Sequence, residues 1–182
     1  MATWLEKSSF QFGGVDMWNT YGIQIEGTGY PSEILIPQLR ARKVTIPMRH
    51  GTYDYGAKYY DERGISVPCV TTRIISRAEV REIAYILSRK DKLYFWHEPD
   101  KYYIGRVYQA PTLEQLRNIG NKFALTFICD PFAYGTEVTA TFTSRYTPNY
   151  QGTAPTPTKI TITNTGSQTI TSINIVQLLN EE

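Results

Sequence analysis

Three acidic residues that could perform acid–base chemistry, Asp54, Asp61 and Glu62, lie close together in the chain among tyrosines. Glycosidases use two carboxylates held about 5–10 Å apart at the scissile bond, and tyrosines with carboxylates also line sugar-binding clefts. General acid catalysis needs one carboxyl group with a raised pKa, which burial provides. The charged surroundings of these residues indicate solvation or ion pairing with a partner protein instead. We therefore predict no glycosidase activity.

The two histidines, His50 and His97, are the residues that could begin a metal site. Imidazole and carboxylate groups are suitable ligands, and His97 is followed by Glu98 and Asp100. Their spacing matches no helical ligand pair, however, and the intervening Pro99 predicts a solvated hairpin turn. His50 stands where a turn or an interface is expected. The sequence therefore predicts a protein that is not an enzyme, with no catalytic, metal-binding or cofactor-binding residues.

The most unusual segment is residues 47–64, in which four tyrosines fall within eight residues among charges and turn formers. Tyrosine combines a large apolar face with a polar hydroxyl group and is enriched at protein–protein interfaces. Arginine anchors and complementary charges are typical of the same surfaces. We predict that this segment forms a subunit interface through Arg49, His50, Tyr53, Tyr55, Tyr59, Tyr60, Asp61 and Arg63.

The elements that position this segment are predicted to be strands, because apolar and polar residues alternate with a period of two. Strands are expected at residues 34–36, 43–46, 65–71, 92–96, 102–108 and 122–129. Two of them flank the tyrosine-rich segment, which is therefore predicted to be the protruding end of a long hairpin or a folded loop. Cys129 continues the alternation of the last strand and is predicted to be buried.

One helix is predicted after Ser76, where Ser76 and Glu79 have the spacing of a capping box. Val80, Ile83 and Leu87 then lie on one apolar face. Residues 112–119 have a spacing compatible with a second, short helix. The predicted architecture is a mainly β domain with one convincing helix packed on it.

Bulk composition leaves the partner class open, because the 182 residues carry a net charge of only +2. So small a net charge does not indicate a protein that binds nucleic acid or membranes. No apolar run is long enough for a signal peptide or a membrane span, so we expect assembly in a cytosol. In that compartment Cys69 and Cys129 are expected to be reduced.

The composition changes after Gly135, since only five of the 36 charged residues, but 13 threonines, lie beyond it. We predict one domain at residues 1–135 and a threonine-rich β extension at residues 136–182. Strands are expected at residues 136–143, 159–164 and 169–176, with a turn at residues 164–167. The extension could lie on the first domain, pair with a neighbouring chain or belong to a larger domain.

Several segments resemble, in order, the amino-terminal ring domain of the distal tail protein of siphovirus-type bacteriophages. They are FQFGGVD at residues 10–16, YGI at 21–23, VTIPMRHG at 44–51, YDERGI at 60–65 and FALTFICDPFAYG at 123–135. The resemblance implies a β-sandwich or barrel, similar to the tail-tube proteins, with one flanking helix and a long protruding hairpin. Residues 159–166 look like the start of a galectin-like second domain, which is incomplete at residue 182.

The resemblance also implies a function, that of a virion structural protein at the tail tip. Six copies would form a ring that joins the tail tube to the host-recognition or baseplate apparatus around a central channel for DNA. Implied partners are further copies, the tail-tube protein, a tail-tip hub or tail-associated lysin, and receptor-binding proteins. DNA would pass only as cargo, without membrane insertion, and assembly would occur in the bacterial host cytoplasm. The alternatives are a carbohydrate-binding module of a host-adsorption device and a tail-tube subunit.

Overall fold

The computed structural model describes residues 5–27, 30–33, 36–40, 43–55, 59–109, 119–142, 146–156 and 158–173. The chain divides into two units, Met1–Thr141 and Phe142–Glu182. The first unit contains all the helices and strands found in the described residues. These are β1 (Phe10–Phe12), β2 (Val15–Asp16), α1 (Met17–Tyr21), β3 (Ile23–Ile25), β4 (Ser32–Glu33), β5 (Lys43–Thr45), β6 (Thr52–Asp54), β7 (Arg63–Thr71), α2 (Arg77–Leu87), β8 (Asp91–Phe95), β9 (Glu98–Gln109) and β10 (Lys122–Cys129).

Eight of these strands form one antiparallel sheet in the order β2-β1-β8-β9-β10-β7-β3. The eighth strand, β4, pairs with the first half of β7, while β3 pairs with its second half. The long ladder between β7 and β10 aligns Phe127 with Ile65 and Phe123 with Cys69. The remaining strands, β5 and β6, form a separate two-stranded sheet. The mainly β prediction is confirmed.

The core lies on the face of the sheet that the alternating residues of β10 present. Phe123, Leu125, Phe127 and Cys129 are all buried, as the period-two pattern predicts. The ring of Phe127 lies 5.3 Å from that of Phe12, centroid to centroid. The apolar face of α2 joins the same buried cluster.

Both helices begin with a side-chain cap. At the start of α2, the Ser76 hydroxyl accepts a hydrogen bond from the Glu79 backbone N–H at 3.3 Å, and the Glu79 carboxylate accepts one from the Ser76 N–H at 2.7 Å. This confirms the predicted capping box. The five-residue α1, which the sequence analysis does not predict, is capped by Asp16. It ends at Gly22, whose φ of 68° favours glycine.

Three local predictions need correction or lie outside the described residues. Of the expected strand at residues 34–36, residues 34 and 35 are not among the described residues, and Ile36 lies in a bend. The hairpin turn between β8 and β9 consists of Trp96 and His97 alone, because Phe95 pairs with Glu98. Pro99 therefore belongs to β9, where a register shift accommodates a residue that lacks an N–H. Residues 112–118 of the second predicted helix are not among the described residues.

The second unit differs from the sequence prediction, since its described residues contain no strand. The same holds for residues 136–141 of the first unit. A strand needs a ladder partner, and the amino-acid pattern alone does not supply one. The predicted turn is present, because the Asn164 side chain accepts a hydrogen bond from the Gly166 N–H at 3.0 Å and donates one to the Gln168 carbonyl at 2.9 Å. The three placements that the sequence leaves open for this extension, on the first domain, against a neighbouring chain or within a larger domain, stay untested predictions.

Candidate subunit interface

The tyrosine-rich segment belongs to a hairpin arm, by which we mean residues 38–61. Two backbone hydrogen bonds join the legs at the base, from Arg40 N–H to the Tyr59 carbonyl and from Asp61 N–H to the Gln38 carbonyl, both 2.8 Å. Further out, β5 pairs with β6, so that Val44 lies opposite Tyr53. In its described residues the arm is thus a hairpin with two paired sections, separate from the main sheet. Its tyrosines lie on the returning leg, whereas the sequence analysis places them at the protruding end.

The tip of the arm, residues 46–51, turns back through an unusual backbone. Met48 has a φ of 63° and Gly51 one of 81°, and the Arg49 N–H donates to the Ile46 carbonyl at 3.3 Å. A positive φ is uncommon for a residue with a side chain. The Met48 side chain is fully exposed as a result. The tip therefore presents an apolar side chain beside the charged Arg49.

The arm exposes an unusual amount of apolar surface along its length. Five of its apolar or aromatic side chains are exposed to solvent: Val44, Ile46, Tyr53, Tyr55 and Tyr59. Tyr59 has an exposed fraction of 72%. The rings of Tyr53 and Tyr55 pack edge to face, with centroids 4.9 Å apart. Contiguous apolar patches are rare on soluble monomers and mark interaction sites. This surface is suited to binding a protein.

The base of the arm has one ring contact with the domain and one ion pair between its own two legs. The Tyr60 ring packs edge to face on Phe132 at 5.3 Å, just beyond β10. The Arg40 guanidinium pairs with the Asp61 carboxylate at 2.7 Å. Because both charged side chains are well exposed, this pair contributes only about 0–1 kcal/mol. The ring contact attaches the base to the domain, and the ion pair joins the two legs of the arm there.

Of the eight residues predicted to form the interface, seven lie on the arm and one does not. Arg63 lies in β7 of the main sheet, with its guanidinium 5.7 Å from the centre of the Tyr103 ring. Asp61 is engaged within its own chain by Arg40. The structure thus brings Arg49, His50 and the four tyrosines together on one exposed hairpin.

The residues considered for catalysis or metal binding do not converge. His97 is partly buried, not solvated as predicted, because its ring packs on Phe95 at 5.6 Å and on Tyr30 at 5.0 Å. Phe95, just before the turn, and Tyr30, from an earlier part of the chain, cover the ring and account for this difference. Within the described ranges, no group of three or more His, Cys, Asp or Glu side chains could hold a metal ion. No helix in the same ranges is long and apolar enough to cross a membrane.

A second surface feature, which the sequence analysis missed, is a groove beside α2 that we call the α2 groove. It runs between α2 and the turn joining β1 to β2, and its lining includes Gly13, Val15, Tyr21, Glu82, Ile86 and Asp91. Glu82 and Ile86 lie four residues apart on α2, and Arg89 follows just beyond its end; this spacing is a signal for a second helix face. Its remaining wall comes from residues about 70 positions earlier in the chain, so local patterning could not reveal it.

Electrostatic contacts fix the position of α2 next to this groove. Arg73 donates to the Thr20 carbonyl of α1 at 2.6 Å and to the Glu79 carboxylate at 2.6 Å. These interactions and the Ser76 cap lower the pKa of Glu79 to about 2. Burial and the nearby Glu82 carboxylate raise the pKa of Tyr21, which keeps its hydroxyl protonated.

Comparison with known proteins identifies the family of this fold. Residues 20–129, more than half of the chain, match the model described as the phage tail protein RIFT-related domain. The chain belongs to this family. The proteins of this family are structural parts of phage tails, not enzymes, so the chain is a phage tail protein. No curated protein matches it.

A solved structure shares the fold of this phage tail protein. It is the crystal structure of the Dit (gp 19.1) protein of phage SPP1, described as a paradigm of the hub adsorption apparatus in phages that infect Gram-positive bacteria. The TM-score is 0.54 at 22% sequence identity, over 71% of this chain and 52% of that one. The chain thus spans about half the length of that protein. The predicted resemblance to the distal tail fold is confirmed.

Proposed function

We propose that this phage tail protein is a ring-forming component of the tail tip that joins the tail tube to the host-recognition apparatus. The hairpin arm is the observation that carries the proposal, because it presents exposed tyrosines and an arginine on a hairpin that is separate from the main sheet. Interface hot spots are enriched in these residue types. Six copies around a central channel for DNA is the arrangement that the family resemblance suggests.

A protruding arm supports a ring better than a symmetric dimer. In a ring each subunit contacts its neighbours through two different patches, and the contact closes after a whole number of rotations. An arm that reaches a different surface of the next copy is a contact of this kind. The arm residues Arg49, His50, Tyr53, Tyr55 and Tyr59 form one patch, with Tyr60 and Asp61 at its base.

Further parts of the proposal follow from this place in the virion. The partners would be the tail-tube protein, a tail-tip hub or tail-associated lysin, and receptor-binding proteins, with DNA only as passing cargo. Assembly would take place in the host cytoplasm before the ring joins the tail. In this scheme residues 1–135 form the ring domain, and residues 136–182 provide a threonine-rich extension that pairs with a neighbour.

Native mass spectrometry and negative-stain microscopy of the purified chain test the proposal directly. We expect a closed oligomer, and the triple substitution Arg49→Ala, Tyr53→Ala, Tyr55→Ala should shift it to monomers, because hot-spot truncations cost about 2 kcal/mol or more each. Tyr108→Ala is the matched control, since Tyr108 is 77% exposed on β9. A stable monomer at high concentration, with no binding to tail-tube ends, would refute the ring.

The same experiments separate this function from its two alternatives. A tail-tube subunit of similar fold would stack into long tubes, whereas a distal ring would stop at a single ring. A carbohydrate-binding module would bind host-wall sugars as a monomer in calorimetric titration. Its best support is the partly exposed aromatic cluster of Tyr30, Trp96 and His97, with ring centroids about 5–6 Å apart. Sugar binding that survives loss of the arm would favour this alternative.

A further inference from the structure

We propose that the α2 groove receives the tip of the hairpin arm from a neighbouring copy of this chain. The inference rests on the proposed function, because it names the surface that the arm contacts within the ring. It assigns a role to a groove that the sequence analysis missed, and to a tip whose exposed apolar side chain has no role in the isolated domain.

The apolar parts of the two surfaces are complementary. The groove offers Val15 and Ile86, both only partly buried against the core. The tip offers Ile46, which is 40% exposed, and the fully exposed Met48. Methionine is unbranched and adapts to irregular gaps, so it suits insertion into a shallow groove. Docking would remove all four side chains from water, which favours association.

The charges of the two surfaces are complementary as well. The groove carries the carboxylates of Glu82 and Asp91, and the tip carries Arg49. The groove also has one basic side chain, Arg89, whose guanidinium lies 4.0 Å from the centre of the Tyr85 ring. An arginine entering the groove would therefore meet two carboxylates and one cation. Complementary charges of this kind set the register of an interface and speed its formation.

The arrangement also accounts for closure into a ring. Tip and groove are different patches on one chain, so each copy donates one tip and accepts another. A contact of this type is heterologous and produces a head-to-tail series that ends only when it closes. Because Met48 is fully exposed in the isolated chain, the tip does not occupy the groove of its own chain. In the proposed ring a second copy supplies the acceptor.

Disulfide crosslinking of the full-length chain tests the docking. The two native cysteines are buried and form no disulfide, so thiols introduced at the surface will react selectively. The double variant Met48→Cys, Ile86→Cys should give a ladder of disulfide-linked oligomers on a non-reducing gel, up to the copy number of the ring. If Ile86→Cys lowers the melting temperature, the double variant Met48→Cys, Tyr85→Cys replaces it in the crosslinking experiment. Tyr85 is next to Ile86 and is 65% exposed. The control Met48→Cys, Tyr108→Cys should give no ladder.

A charge exchange in the crosslinking variant tests the electrostatic part. Arg49→Glu should reduce the crosslinking rate roughly tenfold, and adding Glu82→Arg should restore much of it, since like charges at an interface oppose binding. Rings that form without a disulfide from position 48 to position 86 or 85 would overturn the docking and leave the ring proposal intact. Absence of any oligomer, with wild-type and control chains alike, would overturn both.

Discussion

The junction between α1 and α2 should give the protein a specific acid sensitivity through Glu79. The pKa of Glu79 is lowered to about 2 from an ordinary value of 4.5. A group with a depressed pKa in the folded state contributes stability above its unfolded pKa, and that contribution is lost as the pH falls through the folded pKa. We therefore expect the contribution of Glu79 to be complete at pH 7, to decline below about pH 4.5 and to vanish near pH 2.

The size of the effect follows from the shift and the exposure of the pair. Each unit of pKa shift corresponds to about 1.4 kcal/mol, so the full shift would give about 3 kcal/mol. The Arg73 side chain is 41% exposed, and solvent screening of such pairs reduces the value to about 1 kcal/mol. Glu79→Gln should lower the free energy of unfolding by about this amount at pH 7.

Urea denaturation of the wild type and of Glu79→Gln at pH 7, 4 and 2.5 measures the difference directly. The other carboxyl groups also protonate in acid, but their contributions cancel in the difference between the unfolding free energies of the two proteins. Substitution of the exposed Glu6 by Gln is the matched control and should change nothing. If the difference between wild type and Glu79→Gln stays constant from pH 7 to pH 2.5, the ion pair with Arg73 does not stabilise the junction.

Three further predictions concern the sheet, the thiols and the arm. Gly105→Ala should lower the free energy of unfolding, measured by urea denaturation, by about 1–3 kcal/mol. The added Cβ atom would collide with the Cys129 sulfur and lie 2.9 Å from the Ile128 carbonyl oxygen. An unchanged denaturation midpoint would contradict this prediction. Burial raises the pKa of the Cys69 thiol, so a thiol-specific reagent should not label Cys69 in the native state. Labelling as fast as that of a small free thiol would show that the core opens. Amides of β5 and β6 should exchange faster than those of β7 in the monomer and slow down in the ring; equal protection in both states would argue against ordering by assembly.

The parts of the fold that could be predicted from sequence are those whose signals are local. The capping box at Ser76 and Glu79 depends on residues three apart, and β10 alternates strictly because one of its faces is buried. The five-residue α1 is too short to show a helical period. The turn at Trp96 and His97 was placed wrongly because Pro99 usually marks a turn, whereas here a register shift in β9 accommodates it.

The candidate interface was predictable in composition but not in geometry. The density of tyrosines identifies the segment. The pairing of its strands could not be predicted, because β7 already pairs with β10 and β4, which leaves β5 to pair with β6. Arg63 begins β7 in the main sheet, and its place in an interface stays a prediction. The α2 groove depends on Val15 and α2 lying side by side, which no local pattern encodes.

The strand edges of the domain explain why association should be directed to the arm. The strands at the two sides of the main sheet, β2, β3 and β4, have only two or three residues each. Short edges limit uncontrolled pairing with other chains. The arm is a two-stranded hairpin, which is marginally stable in water by itself. Its exposed apolar side chains stabilise it only when a partner covers them, so ordering of the arm and formation of the interface should be coupled.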